Sequence, residues 1–179
     1  QKMGGHKMKK VILLSTLLLS FLLCACSSND KASAADPLFS NDGDSFDCTA
    51  EELVSFLNEG AEQNNIPTID YDGSYGDITI FGSGLTIDFL SSEETLDSVT
   101  LYWYQGAGDE TSTYAGYYIG ALIEAFDPNS SDALAESLSE KLPNLSGYSN
   151  TTLTGEQIEI LLTSFGNGGT NICFKPHGK

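Results

Sequence analysis

Residues 77–104 read DITIFGSGLTIDFLSSEETLDSVTLYWY, and three segments within them set the fold class. Asp77-Ile78-Thr79-Ile80-Phe81, Leu85-Thr86-Ile87-Asp88-Phe89-Leu90 and Ser98-Val99-Thr100-Leu101-Tyr102-Trp103-Tyr104 are rich in β-branched and aromatic residues. Gly82-Ser83-Gly84 and Ser91-Ser92-Glu93-Glu94 separate them. Short strands joined by short Gly/Ser turns form an antiparallel meander. Gly106-Ala107-Gly108-Asp109 ends it.

On the N-terminal side, Thr49-Ala50-Glu51-Glu52 matches a capping box, with Thr49 as N-cap and Glu52 at N3. Leu53, Phe56 and Leu57 then share one helical face, and the helix should fade by Asn64-Asn65, before Pro67. On the C-terminal side a second helix is expected over Ser112–Phe126, where Tyr114, Tyr117, Tyr118, Ala121, Leu122, Ala125 and Phe126 recur at three-and-four spacing. Its tyrosines are expected to pack against the sheet. A third helix starts at Ser131-Asp132 and carries Leu134, Leu138 and Leu142 up to Pro143. Three further strands are expected around Tyr148–Leu153, Gln157–Phe165 and Thr170–Phe174, the last hairpin turning at Gly166-Asn167-Gly168-Gly169.

Gly84–Leu90 and Gly155–Leu161 echo one another, and a capped helix opens each half, at Thr49 and at Ser131. The expected architecture is α+β: one antiparallel sheet of about six strands with helices packed on one face, built as two helix-plus-three-strand units. This order loosely resembles the duplicated helix-and-sheet layout of the β-lactamase inhibitory proteins. The resemblance is one of topology over residues 46–176, without a shared motif, and it implies a fold and not a function.

From Met8 the chain reads MKKVILLSTLLLSFLLCACSS. Lys9 and Lys10 precede an apolar run, Val11–Leu23, that is too short to stay in a bilayer and has the layout of a secretory signal. Leu23-Cys24-Ala25-Cys26 resembles the lipobox of bacterial lipoproteins, in which the chain is cut before an invariant Cys. The resemblance makes Cys26 the lipidated first residue of the mature chain; Cys24 stands where Ala, Ser or Thr is more usual. The expected organisation is residues 1–7 outside the natural start, 8–25 signal peptide, 26–45 flexible tether, 46–176 one α+β domain and 177–179 a short tail. Acyl chains on Cys26 would hold the domain at a membrane surface of the cell envelope, outside the cytoplasm.

The full chain carries 25 acidic residues against 8 lysines and no arginine, a formal charge of −17. Lys2, Lys7, Lys9 and Lys10 precede the cut, so four lysines against twenty-five acids leave the mature chain at a formal −21. Such a field repels nucleic acid, which is not expected as a partner, and favours basic ones. With Cys24 removed and Cys26 acylated, Cys48 and Cys173 remain, and outside the cytoplasm they are expected to pair. A bond between them would close most of the domain and add roughly 3–5 kcal/mol in the loop-entropy account.

The chain's two histidines are His6, in the leader, and His177, near the C-terminus, so no Ser-His, Cys-His or His-metal arrangement suggests itself. The absence of Arg removes the usual clamp for phosphate or carboxylate substrates. An enzyme is not expected, nor is a cofactor; a small carboxylate-pair hydrolase is the least favoured alternative. A calcium-binding or structural surface protein is the nearer alternative. Asn41–Asp47 and Asp70–Asp77 are rich in oxygen donors, and Asp70, Asp72 and Asp77 are the candidate ligands. Neither segment fits an EF-hand, since Phe46 falls at the fifth position of one and Tyr75 replaces the required Gly of the other. Asp, Gly and Ser clusters are also the ordinary stuff of turns.

The leading expectation is a non-catalytic, lipid-anchored binding module. In a strand, Tyr102 and Tyr104 share one face while Val99, Leu101 and Trp103 share the other. With the latter against the helices, Tyr102 and Tyr104 line the open face of the sheet and are the candidate contacts for an envelope protein, a glycan or a basic ligand.

Overall fold

The computed structural model describes residues 34–73, 78–81, 84–92, 94–104 and 106–178, with 78–81 described as backbone. The signal peptide, Cys26 and Asp77 lie outside the described residues. Helix α1 spans Ala50–Gln63 and opens on the expected capping box: Thr49 Oγ1 accepts from the Glu52 N–H at 3.2 Å, and Glu52 Oε2 accepts from the Thr49 N–H at 2.9 Å. Both bonds satisfy donors that a helix start leaves orphaned. Helix α2 runs over Asp109–Phe126, a turn earlier than the apolar spacing predicts, because Asp109 and Glu110 favour the positive end of a helix. Helix α3 covers Ser131–Lys141.

The strands are β1 (Ile78–Phe81), β2 (Leu85–Ser92), β3 (Thr95–Tyr104), β4 (Tyr148–Thr154), β5 (Ile158–Phe165) and β6 (Gly169–Pro176). Strands β2 to β6 make the body of one antiparallel sheet, and the short β1 pairs with β2 at its edge. Across the sheet the order is β1-β2-β3-β6-β5-β4, so β3 and β6 lie together at the centre and β4 forms the far edge.

Alternation along each strand divides the sheet into two faces. Leu85, Ile87 and Phe89 of β2, Val99, Leu101 and Trp103 of β3, Ile158, Ile160 and Leu162 of β5, and Ile172 and Phe174 of β6 are all buried. They form one core with Leu53 and Leu57 of α1, Ile119, Leu122 and Phe126 of α2, and Leu134 and Leu138 of α3. Each such fully buried side chain contributes about 1.5–3 kcal/mol of transfer free energy. The intervening residues of β2, β3, β5 and β6 face away from the helices, and apart from Ser98 and Gly169 they stay partly accessible.

Residues 34–45 are not the outer part of a tether. The Phe39 N–H donates to Ala125 O at 3.1 Å, and its ring packs edge-on to Phe56, centroids 6.2 Å apart. Asn41 Nδ2 donates to Gln157 O at 2.8 Å. A single aromatic residue in a polar segment has no periodicity, which is why the sequence reads as linker up to residue 45. The tyrosines of α2 also differ from expectation. Tyr117 and Tyr118 are buried, but Tyr117 Oη donates to Leu57 O of α1 at 3.1 Å and Tyr118 Oη to Pro67 O at 2.5 Å. They fasten α1 and the segment after it. Tyr114 Oη instead donates to Glu110 Oε1 at 2.6 Å, one turn back on its own helix.

Candidate functional site

Cross-strand register assembles an aromatic corner on the open face. Tyr104 sits opposite Gly169, Tyr102 opposite Asn171, and Tyr148 opposite Phe165. Since Ser164 pairs with Thr170 on the buried face, the next residues along, Phe165 and Gly169, are neighbours on the open one. Four aromatic side chains from β3, β4 and β5 therefore project from the same end of the same face, where the β3–α2 turn and the β5–β6 hairpin meet.

Gly169 makes the cluster possible. A Cβ there would overlap Tyr102 Oη and lie 2.9 Å from Tyr102 Cζ, so only glycine lets the ring lie across the β6 backbone. In that position Tyr102 packs against Phe165, ring centroids 6.2 Å apart and tilted by 40°. An aromatic ring laid over a cross-strand glycine covers backbone that would otherwise be wet. Tyr102 and Phe165 are half-buried and form the base of the corner. Tyr104, 39 % exposed, lies against Gly168, and Tyr148, 87 % exposed, lies beside Gly166, both at the β5–β6 turn. Rigid aromatic side chains with a wet hydroxyl suit a contact surface that loses little entropy on binding.

The rest of the open face is mixed. Thr86, Asp88, Thr100, Leu161, Thr163 and Asn171 are half-buried, and Leu90 is 55 % exposed. At the opposite end of β5, His177 Nδ1 lies 3.2 Å from Glu159 Oε1 on the surface.

Cys48 and Cys173 are free thiols in this structure, which corrects the expected pairing. Cys48 belongs to the buried core just before α1, whereas Cys173 pairs with Thr100 and faces outward between the buried Ile172 and Phe174. The sheet separates them. Burial, with Glu52 and Asp47 nearby, pushes the Cys48 thiol up to about 12, so it is protonated and inert at neutral pH.

In the first oxygen-rich loop the carboxyl of Asp42 has partners of its own. Asp42 Oδ1 accepts from the Asp44 N–H at 3.0 Å and the Ser45 N–H at 2.8 Å, bonds that hold its carboxyl below the usual range. This is an Asx-type turn. Asp70 and Asp72 are exposed in the segment after α1. Among the described residues no three or more His, Cys, Asp or Glu side chains gather as a metal site would require. Likewise no described helix is long and apolar enough to cross a membrane.

Phe165 and Tyr148 are the members of the corner that sequence reasoning missed. Part of the signal is local, since a Gly166–Gly169 hairpin turn brings Phe165 beside Gly169; that Tyr104 lies there too depends on the pairing of β3 with β6. Comparison with family models, with curated proteins and with solved structures finds no match to this chain.

Proposed function

We propose that this chain is a non-catalytic, membrane-tethered binding domain of the bacterial cell envelope. Its open sheet face would capture an envelope protein or a glycan through Tyr102, Tyr104, Phe165 and Tyr148. The observation that carries the reading is the aromatic corner, in which the half-buried Tyr102 and Phe165 pack together over a glycine that admits no side chain, with the exposed Tyr104 and Tyr148 beside the same β5–β6 turn. Large aromatic side chains grouped at one spot are what interface hot spots are made of. The lipobox-like Leu23–Cys26 supports a lipid anchor at Cys26, and the excess of 25 acids over 8 lysines supports a partner with basic character.

The finer architecture belongs to the same proposal. The strand order reads alike from both edges, each half being a helix followed by a three-strand meander, with β3 and β6 meeting at the centre. That arrangement supports a duplicated unit and a six-stranded sheet whose halves have diverged, the second half supplying Phe165 and Tyr148 and the first Tyr102 and Tyr104.

Affinity capture tests the function. The full chain in mild detergent is used to retrieve partners from an extract of its own envelope, beside Tyr104→Ala and Tyr148→Ala. A partner retained at moderate salt and weakened about fivefold or more by either substitution supports the reading, since anchors of this kind are worth above about 1 kcal/mol each. A partner retained equally by the double variant would place recognition elsewhere.

A further inference from the structure

The geometry points to a second recognition element, which shares only Tyr148 with the aromatic corner: the edge of β4, unpaired among the described residues, as a strand-addition site for an extended, basic segment of a partner protein. Strand β4 reads YSNTTLT, with no charge, proline or glycine, and stands at the end of the sheet order. Its pairing with β5 runs without a register shift from Tyr148↔Phe165 to Thr154↔Glu159. Sheet edges are usually protected by charge, proline, a bulge or shortness. The opposite edge shows such protection, because β1 has four residues and its register shifts between Thr79 and Phe81. Strand β4 has none of these and offers about 24 Å of regular edge at the usual rise per residue.

Beside that edge lies a groove of about 570 Å³ between β4 and α3. Thr152, Leu153 and Thr154 form one wall, and Ala133, Leu134 and Ser137 the other. Leu134 and Leu153 are buried at its base, while Ala133 is exposed at its rim. A strand added alongside β4 would place every second side chain over this groove and the others toward the open face. Backbone bonds would supply affinity and the groove would select small apolar side chains, which is how strand addition divides its labour.

The charge around the groove selects the partner. Asp132, Glu136 and Glu140 are exposed on α3, and Glu156 closes one end. Lys141, in the last turn, is the one basic residue of that helix. A second copy of a chain with a formal charge of −17 would meet repulsion along the whole edge, whereas a Lys- or Arg-bearing segment would be attracted.

A labelled octapeptide of alternating Lys and Val tests this on the full chain in mild detergent, read by fluorescence anisotropy and amide hydrogen exchange. Binding at or below about 100 µM is expected, at least about tenfold tighter than an alternating Glu and Val peptide. Exchange should slow at residues 149–154. Ala133→Trp, which fills the groove from its exposed rim, should abolish binding. Glu136→Lys with Glu140→Lys, on the solvent side of α3, should weaken the Lys peptide and strengthen the Glu peptide. No binding at millimolar peptide, protection at Tyr102 and Tyr104 in place of β4, or protection of β4 by self-association without peptide would each overturn the proposal.

Discussion

Asp127 is wholly buried at the C-terminal end of α2, and its replacement should loosen the turn that carries β4 into β5. Its Oδ2 accepts from the Gln157 N–H at 2.8 Å and its Oδ1 from the Ser130 N–H at 3.2 Å. Ser130 Oγ in turn accepts from the Glu156 N–H at 2.9 Å. Gly155 packs so closely on Asp127 Oδ2 that no side chain would fit there. Removing the carboxylate in Asp127→Ala strands the Gln157 N–H outright. The Ser130 N–H loses less, because it also reaches the Asp127 carbonyl at 3.1 Å. One charge-assisted bond of about 1.5–3 kcal/mol and one shared bond of about 0.5–1 give a loss of roughly 2–4 kcal/mol. Asp127→Asn keeps one acceptor oxygen but turns an amide against the second donor, so about half that loss is expected. Urea unfolding followed by the chain's single tryptophan, the buried Trp103, measures both. Amide exchange at Gln157 should quicken with either variant. An Asp127→Ala protein within about 0.5 kcal/mol of the parent, the range of ordinary surface changes, would refute the clip.

Further outcomes follow from packing and titration. A Cβ at Gly60 would lie 2.5 Å from Tyr117 Oη, so Gly60→Ala should cost about 1–3 kcal/mol by overpacking, and Tyr117→Phe in the same chain should restore much of it. If the two losses simply add in a double-mutant cycle, the α1–α2 contact is not as described. Alkylation of the native chain should label Cys173 and spare Cys48, with Cys48 reacting only after denaturation; equal labelling, or a bond between them, would contradict the free-thiol arrangement. Stability should also fall in alkali. Burial holds Tyr117 up at about 12 against an ordinary 10, and Tyr118 and Cys48 are raised as well, so the folded state keeps protons that the unfolded chain releases. The contribution of Tyr117 is complete below pH 10 and is lost between pH 10 and about 12, at up to about 1.4 kcal/mol per pH unit. A melting temperature unchanged between pH 9 and pH 11.5 would contradict this.

Local signals carried the helices and most strands. Thr49 and Glu52 announced α1, and the alternation of Leu85, Ile87 and Phe89 against Thr86, Asp88 and Leu90 announced a half-buried strand. The face of β3 followed from the same period of two, so Tyr102 and Tyr104 were legible as a pair on the open side. The neighbours of that pair were not. Placing Phe165 and Tyr148 beside Tyr104 requires β6 to lie between β3 and β5, a long-range pairing that no local pattern encodes. The Asp127 clip was hidden for a related reason: Asp127-Pro128 reads as a helix stop, and its buried carboxylate is explained only by a turn thirty residues further on. The Cys48–Cys173 pairing failed because redox context says that two thiols could join and says nothing of which side of a sheet each occupies. The edge at β4 was invisible until the strand order made it an edge.

Whether the aromatic corner is a recognition surface is tested most directly by a footprint. Tyrosine nitration of the full chain, free and then in complex with the partner retrieved by affinity capture, reads the exposed rings without any substitution. The account predicts that Tyr148 and Tyr104 react readily in the free chain and are shielded in the complex, while the buried Tyr117 and Tyr118 stay unreactive in both. A complex in which Tyr148 and Tyr104 react as fast as in the free chain would contradict it.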